Sequence, residues 1–186
     1  MLLAQPVQVG VKGGFVLTDS TRQTNDESRN YTVGPTIEFR LPLNFGIETG
    51  FLYKRIGTDA IFLFDNNRAV YRIRGDSFEI PVVGKYYMRS SRVFTPYLGL
   101  GVAMRRTWQT TEGSTTGPPN PFFSTGNFRR SEVSPWGAGA VGGAGVQFQH
   151  GRWKLSPEFR YTRWSQEGQS IPRNPNQVEF LFGISF

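Results

Sequence analysis

Cysteine is missing from this chain of 186 residues, which excludes a disulfide framework, a thiol nucleophile and a cysteine-ligated metal site. Long hydrophobic runs are missing as well, because no segment approaches the roughly 18 to 20 apolar residues that a membrane-spanning helix needs. No stretch of useful length repeats with helical periodicity. A helical membrane protein is therefore excluded. Membrane-spanning strands are not, since their alternating pattern dilutes the hydrophobic content, which is 38% here.

Lysine is scarce, with only Lys12, Lys54, Lys85 and Lys154, so the net charge of +7 comes mostly from arginine. Aromatic residues reach 15% and glycine occurs 22 times, a composition that suits strands with interfacial aromatic girdles and a crowded interior. An excess of arginine can meet nucleic acid or an anionic lipid surface. The strand patterns favour lipid, and we expect no nucleic acid partner.

The segment 178–186 presents large apolar side chains on one face, because side chains in a strand alternate with period two. This face consists of Val178, Phe180, Phe182, Ile184 and Phe186. A soluble domain would have to cover such a ribbon, whereas lipid covers it in a transmembrane barrel. The pattern resembles the C-terminal signal of bacterial outer-membrane β-barrels, which implies that the barrel-assembly machinery engages this strand.

Seven other segments alternate in the same way: residues 7–17, 31–41, 45–54, 78–87, 96–105, 136–148 and 153–162. The connections between these segments are alternately long and short along the chain. The long ones are 18–30, 55–75, 106–134 and 165–176, and the short turns are 42–44, 89–92 and 150–151. This order predicts an all-β fold, an eight-stranded antiparallel up-and-down transmembrane β-barrel, in a single domain of residues 1–186. The short turns and both termini should be periplasmic and the long loops extracellular. We expect the ends of the 55–75 connection to extend their strands as a hairpin, and residues 1–4 to be a signal-peptide remnant.

Alternation alone does not say which face meets lipid, because a soluble, lipocalin-like ligand-binding barrel also alternates. The polar face is mostly Gly, Ala, Ser and Thr, which suits a narrow lumen. Aromatic residues at the strand ends indicate two girdles: we place Tyr31, Tyr53, Tyr86, Trp136 and Tyr161 toward the loops, and Phe39, Phe45, Phe148, Trp153 and Phe186 toward the turns. Four prolines inside these segments, Pro35, Pro81, Pro96 and Pro157, fit central strands poorly and stay unexplained by the sequence. The lipid-facing arrangement is favoured.

The charges on the polar face nearly cancel, as a low-dielectric interior demands. They are Glu38, Glu48, Glu79, Glu158 and Glu179, with Lys12, Arg40, Lys54, Lys85, Lys154 and Arg160. Glu48 and Lys85 stand at similar heights above their turns on neighbouring strands, so we expect them to be close, with Glu38 joining them near Arg40. The pattern predicts an ion-pair network that plugs the lumen. A proton or ion path along the same groups is the alternative.

Arginines crowd the predicted external ends, and a guanidinium group can bind a phosphate with two parallel hydrogen bonds. The candidates for contact with phosphate-rich lipopolysaccharide are Arg72, Arg74, Arg105, Arg106, Arg129 and Arg130. Solvated loops with local ion pairs explain the same residues equally well.

Catalytic signals are weak. His150 is the single histidine and lies in a predicted short turn, far from the carboxylates near the loops, so a Ser-His-acid arrangement is not supported. Residues 137–142 match G-x-G-x-x-G, but they alternate as a strand instead of opening a helix. We expect no enzyme, no cofactor and no metal site.

Two stretches carry a family resemblance: FEIPVVGKYY at 78–87 and TPYLGLG at 95–101. They resemble small outer-membrane barrel proteins, distant relatives of the OmpA and OmpX barrels, and the likeness extends over nearly the whole chain. It implies an eight-stranded barrel with a closed lumen and names no substrate. We therefore expect a monomer embedded in the lipid bilayer of the bacterial outer membrane, with a structural or surface-interaction role for which the long loops provide the contact surface. A small-solute or ion pore is the alternative.

Overall fold

Ten β-strands make up the ordered framework of this computed structural model, which describes residues 7–17, 31–64, 67–88, 93–116, 126–165 and 175–186. The strands are β1 (Val7–Val16), β2 (Tyr31–Leu41), β3 (Phe45–Gly50), β4 (Leu52–Phe64), β5 (Asn67–Tyr87), β6 (Phe94–Thr116), β7 (Gly126–Val133), β8 (Gly137–His150), β9 (Trp153–Trp164) and β10 (Asn176–Ser185). Within the described ranges, no helix is long and apolar enough to cross a membrane. The predicted signal-peptide remnant at 1–4, the 18–30 connection, the 89–92 turn and most of the 165–176 connection lie outside the described residues.

The strands close into an antiparallel ring with eight positions. Neighbours in the ring follow chain order, with β3 and β4 sharing the position between β2 and β5, and β8 following β6. The ring closes between β1 and β10, where Val9 and Phe186 exchange backbone hydrogen bonds of 3.3 and 3.1 Å. The predicted eight-stranded antiparallel barrel is therefore confirmed.

Large apolar side chains point away from the barrel axis. Leu100 is 78% exposed, and the Phe180 ring packs at 5.0 Å from that of Phe159 and 5.7 Å from that of Phe15, on the outer surface. Polar side chains at the intervening positions are buried, as Lys12 at 2% exposure illustrates. The apolar face is the outer face, so the lipocalin-like arrangement, with this face inside, does not apply.

Two tight turns define one end of the barrel, here called the turn end. Leu43 and Asn44 have φ angles of 61° and 64°, which are the values of a type I′ hairpin turn. Gly151, with φ 61°, lies in the turn between β8 and β9. The start of β1 and the end of β10 lie at this end as well, because Val7 pairs with Phe39 near the first turn. The opposite end is called the loop end.

Prolines account for a break that alternation did not predict. The segment 45–54 is divided at Phe51, whose level in the ring is flanked by Pro35 on β2 and Pro81 on β5. Proline has no backbone N–H, so ladder hydrogen bonds are lost on both sides. Phe51 N still donates to Pro35 O at 3.1 Å, and Thr49 Oγ1 donates to Pro81 O at 2.9 Å.

Beyond the loop end, four strands continue as an antiparallel sheet in the order β4, β5, β6, β7. This projecting sheet consists of residues 55–64, 67–77, 107–116 and 126–133. The hairpin expected around 55–75 is present, but the prediction of a loop over 106–134 is wrong, since β6 runs on to Thr116 and β7 pairs back onto it. The segment lacks an apolar face and so reads as a loop, yet its threonines favour extended structure.

Candidate functional site

The lumen is lined by the buried side chains of the barrel strands, and charged groups dominate its half nearest the turn end. Strand pairing fixes each of these groups on the inner face, because residues opposite one another in a ladder share a face. Glu38 and Glu48, for example, are direct partners across β2 and β3. The charged groups therefore meet across the barrel axis rather than along one strand.

Glu48 is the centre of the larger cluster. Its carboxylate forms ion pairs with Lys12, Lys85 and Arg160, the last at 3.2 Å. Glu158 holds two of the same cations, with Lys12 Nζ at 2.7 Å and Arg160 Nη2 at 2.7 Å. All five side chains are at most 5% exposed. The arrangement satisfies each charge with at least one opposite charge, as burial requires.

Glu38 extends this cluster toward the turn end. It accepts from Lys85 Nζ at 3.2 Å and pairs with Arg40 Nε at 2.7 Å. Tyr87 Oη donates to Glu38 Oε1 at 2.7 Å, while the Arg40 guanidinium lies 3.6 Å from the centre of the Tyr87 ring. The expected neighbourhood of Glu48, Lys85, Glu38 and Arg40 is thus present in the structure.

A smaller cluster lies closer to the loop end. Lys54 Nζ is 2.5 Å from Glu79 Oε2 and 2.8 Å from Glu179 Oε2, and Thr32 Oγ1 donates to Glu179 Oε1 at 2.9 Å. Glu79 and Glu179 are fully buried. With one cation and two carboxylates, this cluster carries a net charge of −1.

The two clusters balance each other. The larger one has four cations, Lys12, Arg40, Lys85 and Arg160, against three carboxylates, Glu38, Glu48 and Glu158, so its net charge is +1. Arg160 connects the two, since it pairs with Glu179 in the ladder and interacts electrostatically with both Glu79 and Glu179. The sum over both clusters is zero. A neutral total is what a poorly solvated interior favours.

The lumen also contains an apolar patch, in which Val83, Ala103, Val141 and Trp164 pack together as a buried hydrophobic cluster. On β6 the next inward residue toward the loop end after Ala103 is Arg105. Arg105 lies 4.0 Å from the Trp164 ring centre and donates to Gln177 Oε1 at 3.3 Å. Arg105 therefore points into the barrel.

A small cavity of about 20 Å³ adjoins the larger charged cluster at the turn end, and its lining includes Gln8, Lys12, Glu38, Glu48, Lys85 and Gln147. That volume has room for about one water molecule. Among the residues that the structure describes, no group of three or more His, Cys, Asp or Glu is arranged to hold a metal ion.

Aromatic side chains form rows at both ends of the outer apolar band. At the loop end, ring centres of Tyr31 and Tyr53 lie 6.0 Å apart, Tyr53 and Phe78 5.6 Å, and Phe78 and Trp108 5.4 Å, with Trp136 exposed nearby. At the turn end, Trp153 and Phe186 lie 6.0 Å apart and Phe45 and Tyr86 5.1 Å apart. The placement of Tyr86 toward the loops is wrong, because β5 runs from the loop end to the turn end.

The six arginines considered for lipopolysaccharide contact do not share one face. Arg72, Arg74, Arg106 and Arg129 belong to the outward-facing register of the projecting sheet and β6. Arg130 is on its inner face, where it pairs with Glu132 at 2.6 Å, and Arg105 points into the barrel as described. Arg55 was not among the six, yet it lies on the outward face opposite Asp76.

Two features of the lumen go beyond the sequence reading. Tyr97 Oη donates to Glu158 at 2.8 Å, which parallels the bond from Tyr87 to Glu38, and alternation gave no indication of either bond. Lys12 and Lys54 were expected on the inner face, but their role as bridges between carboxylates of different strands follows only from the closed ring. Residues 137–142, the G-x-G-x-x-G match, lie within β8, as their alternation predicted.

Comparisons with known proteins agree with this architecture. A family model described as "Outer membrane protein beta-barrel domain" matches residues 3–163. Neisserial surface protein A (NspA) has a TM-score of 0.65 at 12% identity, covering 97% of this chain and 96% of its own. The N-terminal barrel of Pseudomonas aeruginosa OprF has 12% identity and a TM-score of 0.48, covering 97% and 96%. The Yersinia pestis attachment invasion locus protein Ail has 15% identity and a TM-score of 0.46, covering 96% and 94%. At 12% identity, the likeness to the NspA structure shows the fold alone. The comparison with curated proteins gives no match.

Proposed function

This chain belongs to the family of outer membrane protein beta-barrel domains, and we propose that it is a non-catalytic surface protein of the bacterial outer membrane. In this proposal the lumen is closed by its ion-pair network. The barrel acts as a rigid anchor, and the projecting sheet is the part that meets partners outside the cell.

The proposal of a closed lumen rests on the burial of the ion-pair network. Lys12, Glu48, Lys85, Glu158 and Arg160 span the barrel interior with side chains that are at most 5% exposed. A pore for solutes would need water along these groups, and their charges would then be hydrated. The adjoining cavity of about 20 Å³ is too small for a continuous water column.

The difference between the two ends supports the orientation. Barrels of the outer membrane have short turns and both termini on the periplasmic side and longer connections outside. The turn end, with its tight turns and the ends of β1 and β10, fits the periplasmic side. The projecting sheet then stands outside the cell. All eight residues of β7 except Glu132 are exposed, so the strand has both faces available to a partner.

Two measurements test the proposal. The refolded protein in a planar lipid bilayer should give no steady conductance. The orientation of the barrel in the membrane can be measured by labelling introduced cysteines. The chain has no cysteine, so each single cysteine substitution adds the only thiol. Asn127→Cys on β7 should react with a membrane-impermeant maleimide on intact cells, whereas the matched variant His150→Cys at the turn end should react only after permeabilisation.

Each result can contradict one part. Regular conductance steps from the wild-type protein would establish the pore and overturn the closed lumen. Labelling of His150→Cys, but not of Asn127→Cys, on intact cells would reverse the orientation and remove the projecting sheet from the surface.

A further inference from the structure

Basic side chains gather on the outward face of the projecting sheet, directly beyond the aromatic row of the loop end. We propose that this face binds the phosphate groups of phosphorylated lipids in the membrane leaflet that surrounds the barrel. The physiological setting rests on the proposed orientation, whereas the binding chemistry depends only on the described residues. We call the face the arginine face and define it as Arg55, Arg72, Arg74, Arg106 and Arg129.

Strand register places these arginines in successive rows. Tyr53, Phe78 and Arg106 form the row nearest the apolar band, because Phe78 pairs with both of the others. Arg55 lies one row farther out, where it pairs with Asp76. Arg74 follows in the next row, opposite Thr110 and Ser131. The rows run without a gap from lipid-facing aromatic residues to exposed guanidinium groups.

Arg72 and Arg129 form the outermost of these rows, on either side of Glu112. The described side chains of the face carry five positive charges and two negative ones, Asp76 and Glu112, which leaves a net charge of +3. Arg129 Nε lies 3.6 Å from Glu112 Oε1 in a well-exposed pair, which is too weak an interaction to neutralise either group firmly.

The two arginines between the aromatic row and the outermost row have their charges available. Tyr53 Oη donates to Asp76 Oδ1 at 2.5 Å, so this carboxylate already has a neutral partner. Arg55 and Arg74 are exposed, and within the described part of the chain neither forms an ion pair with a carboxylate. A groove of about 560 Å³ runs along the face, lined by Tyr53, Arg55, Arg72, Arg74, Trp108 and Arg129 among others.

The height of these arginines above the apolar band favours lipid head groups as their ligand. The outward apolar residues of β6 extend from Phe94 to Met104, which at about 3.3 Å per residue and a tilt of about 40° spans about 25 Å, the usual height of the apolar band. On the same scale Arg55 lies about 5 Å beyond the aromatic row and Arg74 about 10 Å. Lipid head groups occupy about the first 5 to 8 Å, and a long arginine side chain can reach back toward them.

The choice of basic residue agrees with a phosphate ligand. All four lysines face the lumen, where three are fully buried and Lys154 is partly buried. Positive charge on the outside is therefore arginine alone. A planar guanidinium matches phosphate with two parallel hydrogen bonds, whereas lysine offers a point charge. Arg106 is held between the Trp108 and Trp136 rings, 5.4 and 6.0 Å from their centres, so one member of the face is already positioned at the membrane surface.

The test uses the full chain, folded in non-ionic detergent with EDTA, and titrated with bisphosphorylated lipid A while bound lipid is counted by native mass spectrometry. The test variant is Arg55→Gln with Arg74→Gln. The control, Arg130→Gln with Arg152→Gln, removes the same charge from the inner face of the sheet and from the turn end. Heat-modifiable gel migration verifies that every variant is folded. Lipid A stripped of its phosphates is the second probe.

We expect the test pair to weaken lipid A binding by about fivefold per arginine, or about 25-fold together, at low salt. The control pair should stay within about twofold of wild type, because its arginines lie off the face. Phosphate-free lipid should bind wild type as weakly as it binds the test variant. Equal losses for both pairs, undiminished binding of the phosphate-free lipid, or no binding by wild type would each overturn the proposal. These outcomes do not depend on the conductance or labelling results, so either proposal can fail alone.

Discussion

Replacement of Glu48 by glutamine tests whether the lumen network stabilises the barrel. The change keeps the shape of the side chain but removes the negative charge that Lys12, Lys85 and Arg160 share. The larger cluster would then carry four cations against two carboxylates. The amide oxygen can still accept hydrogen bonds, but the NH2 group that replaces the second carboxylate oxygen faces cations that are themselves only donors.

The expected loss of stability in Glu48→Gln depends on which carboxylates the three cations still contact. Removing one partner of a buried ion pair costs about 3 to 5 kcal/mol. Lys12 and Arg160 keep Glu158, and Lys85 keeps Glu38 at 3.2 Å. No cation is left wholly unpaired, so we expect a loss of about 3 kcal/mol in the free energy of unfolding, at the lower end of that range.

Reversible urea unfolding in lipid vesicles, followed by tryptophan fluorescence, measures this loss from the shift in midpoint at constant m-value. Glu132→Gln is the control, because its partner Arg130 is 75% exposed and an exposed pair contributes about 1 kcal/mol or less. The double variant Glu48→Gln with Lys85→Met removes opposite charges together, so its loss should be smaller than the sum of the single losses by about 1 to 2 kcal/mol. A Glu48→Gln loss no larger than that of Glu132→Gln, or strict additivity in the double variant, would refute the reasoning.

Three further changes probe packing, lipid exposure and hydrogen bonding, each by the same unfolding measurement. Gly101→Ala should lower the free energy of unfolding by about 1 to 3 kcal/mol, because an added Cβ would lie 2.0 Å from a backbone oxygen of β5. The control Gly142→Ala should be nearly neutral, because its Cβ would have nothing within 4 Å. Equal losses for the two variants would contradict this prediction. Leu100→Arg, at the middle of the outward band, should cost about 2 to 4 kcal/mol in lipid, and a neutral result would mean that this face does not meet hydrocarbon. Tyr97→Phe removes the 2.8 Å hydrogen bond from the Tyr97 hydroxyl to Glu158, which keeps Lys12 and Arg160 as partners. We expect a loss of about 1 to 3 kcal/mol, because the bond is to a buried charged group, and no loss would mean that the hydroxyl contributes nothing to the network.

Alternation with period two was sufficient to divide the side chains of the barrel strands between two faces, because the pleat leaves only two choices. The small residues on the polar face and the aromatic residues at the strand ends then indicated that the apolar face meets lipid. Alternation also placed Glu48 and Lys85 together, since both stand a few residues above turns that connect neighbouring strands. The same reasoning could not reveal that Lys54 bridges Glu79 and Glu179. Contacts across the axis depend on the stagger of the strands around the ring, which a closed barrel fixes as a whole.

The errors have equally local causes. Residues 107–116 and 126–133 carry no apolar face, so periodicity gave no reason to extend β6 or to add β7. The break at Phe51 comes from prolines on two other strands, and the sequence does not show that Pro35 and Pro81 lie at the same level. Arg105 and Arg106 are adjacent in the chain but point to opposite faces, so proximity in sequence grouped residues that the pleat separates.

Closure of the ring has a kinetic consequence. The bonds between Val9 and Phe186 join residues that nearly the whole described chain separates, and such non-local contacts form late because loop closure must precede them. Until then β1 and β10 each keep a row of unpaired backbone groups, which hydrocarbon cannot satisfy. A half-built sheet is therefore least stable inside the bilayer. We expect zipping of this seam and entry into the membrane to be a single concerted event.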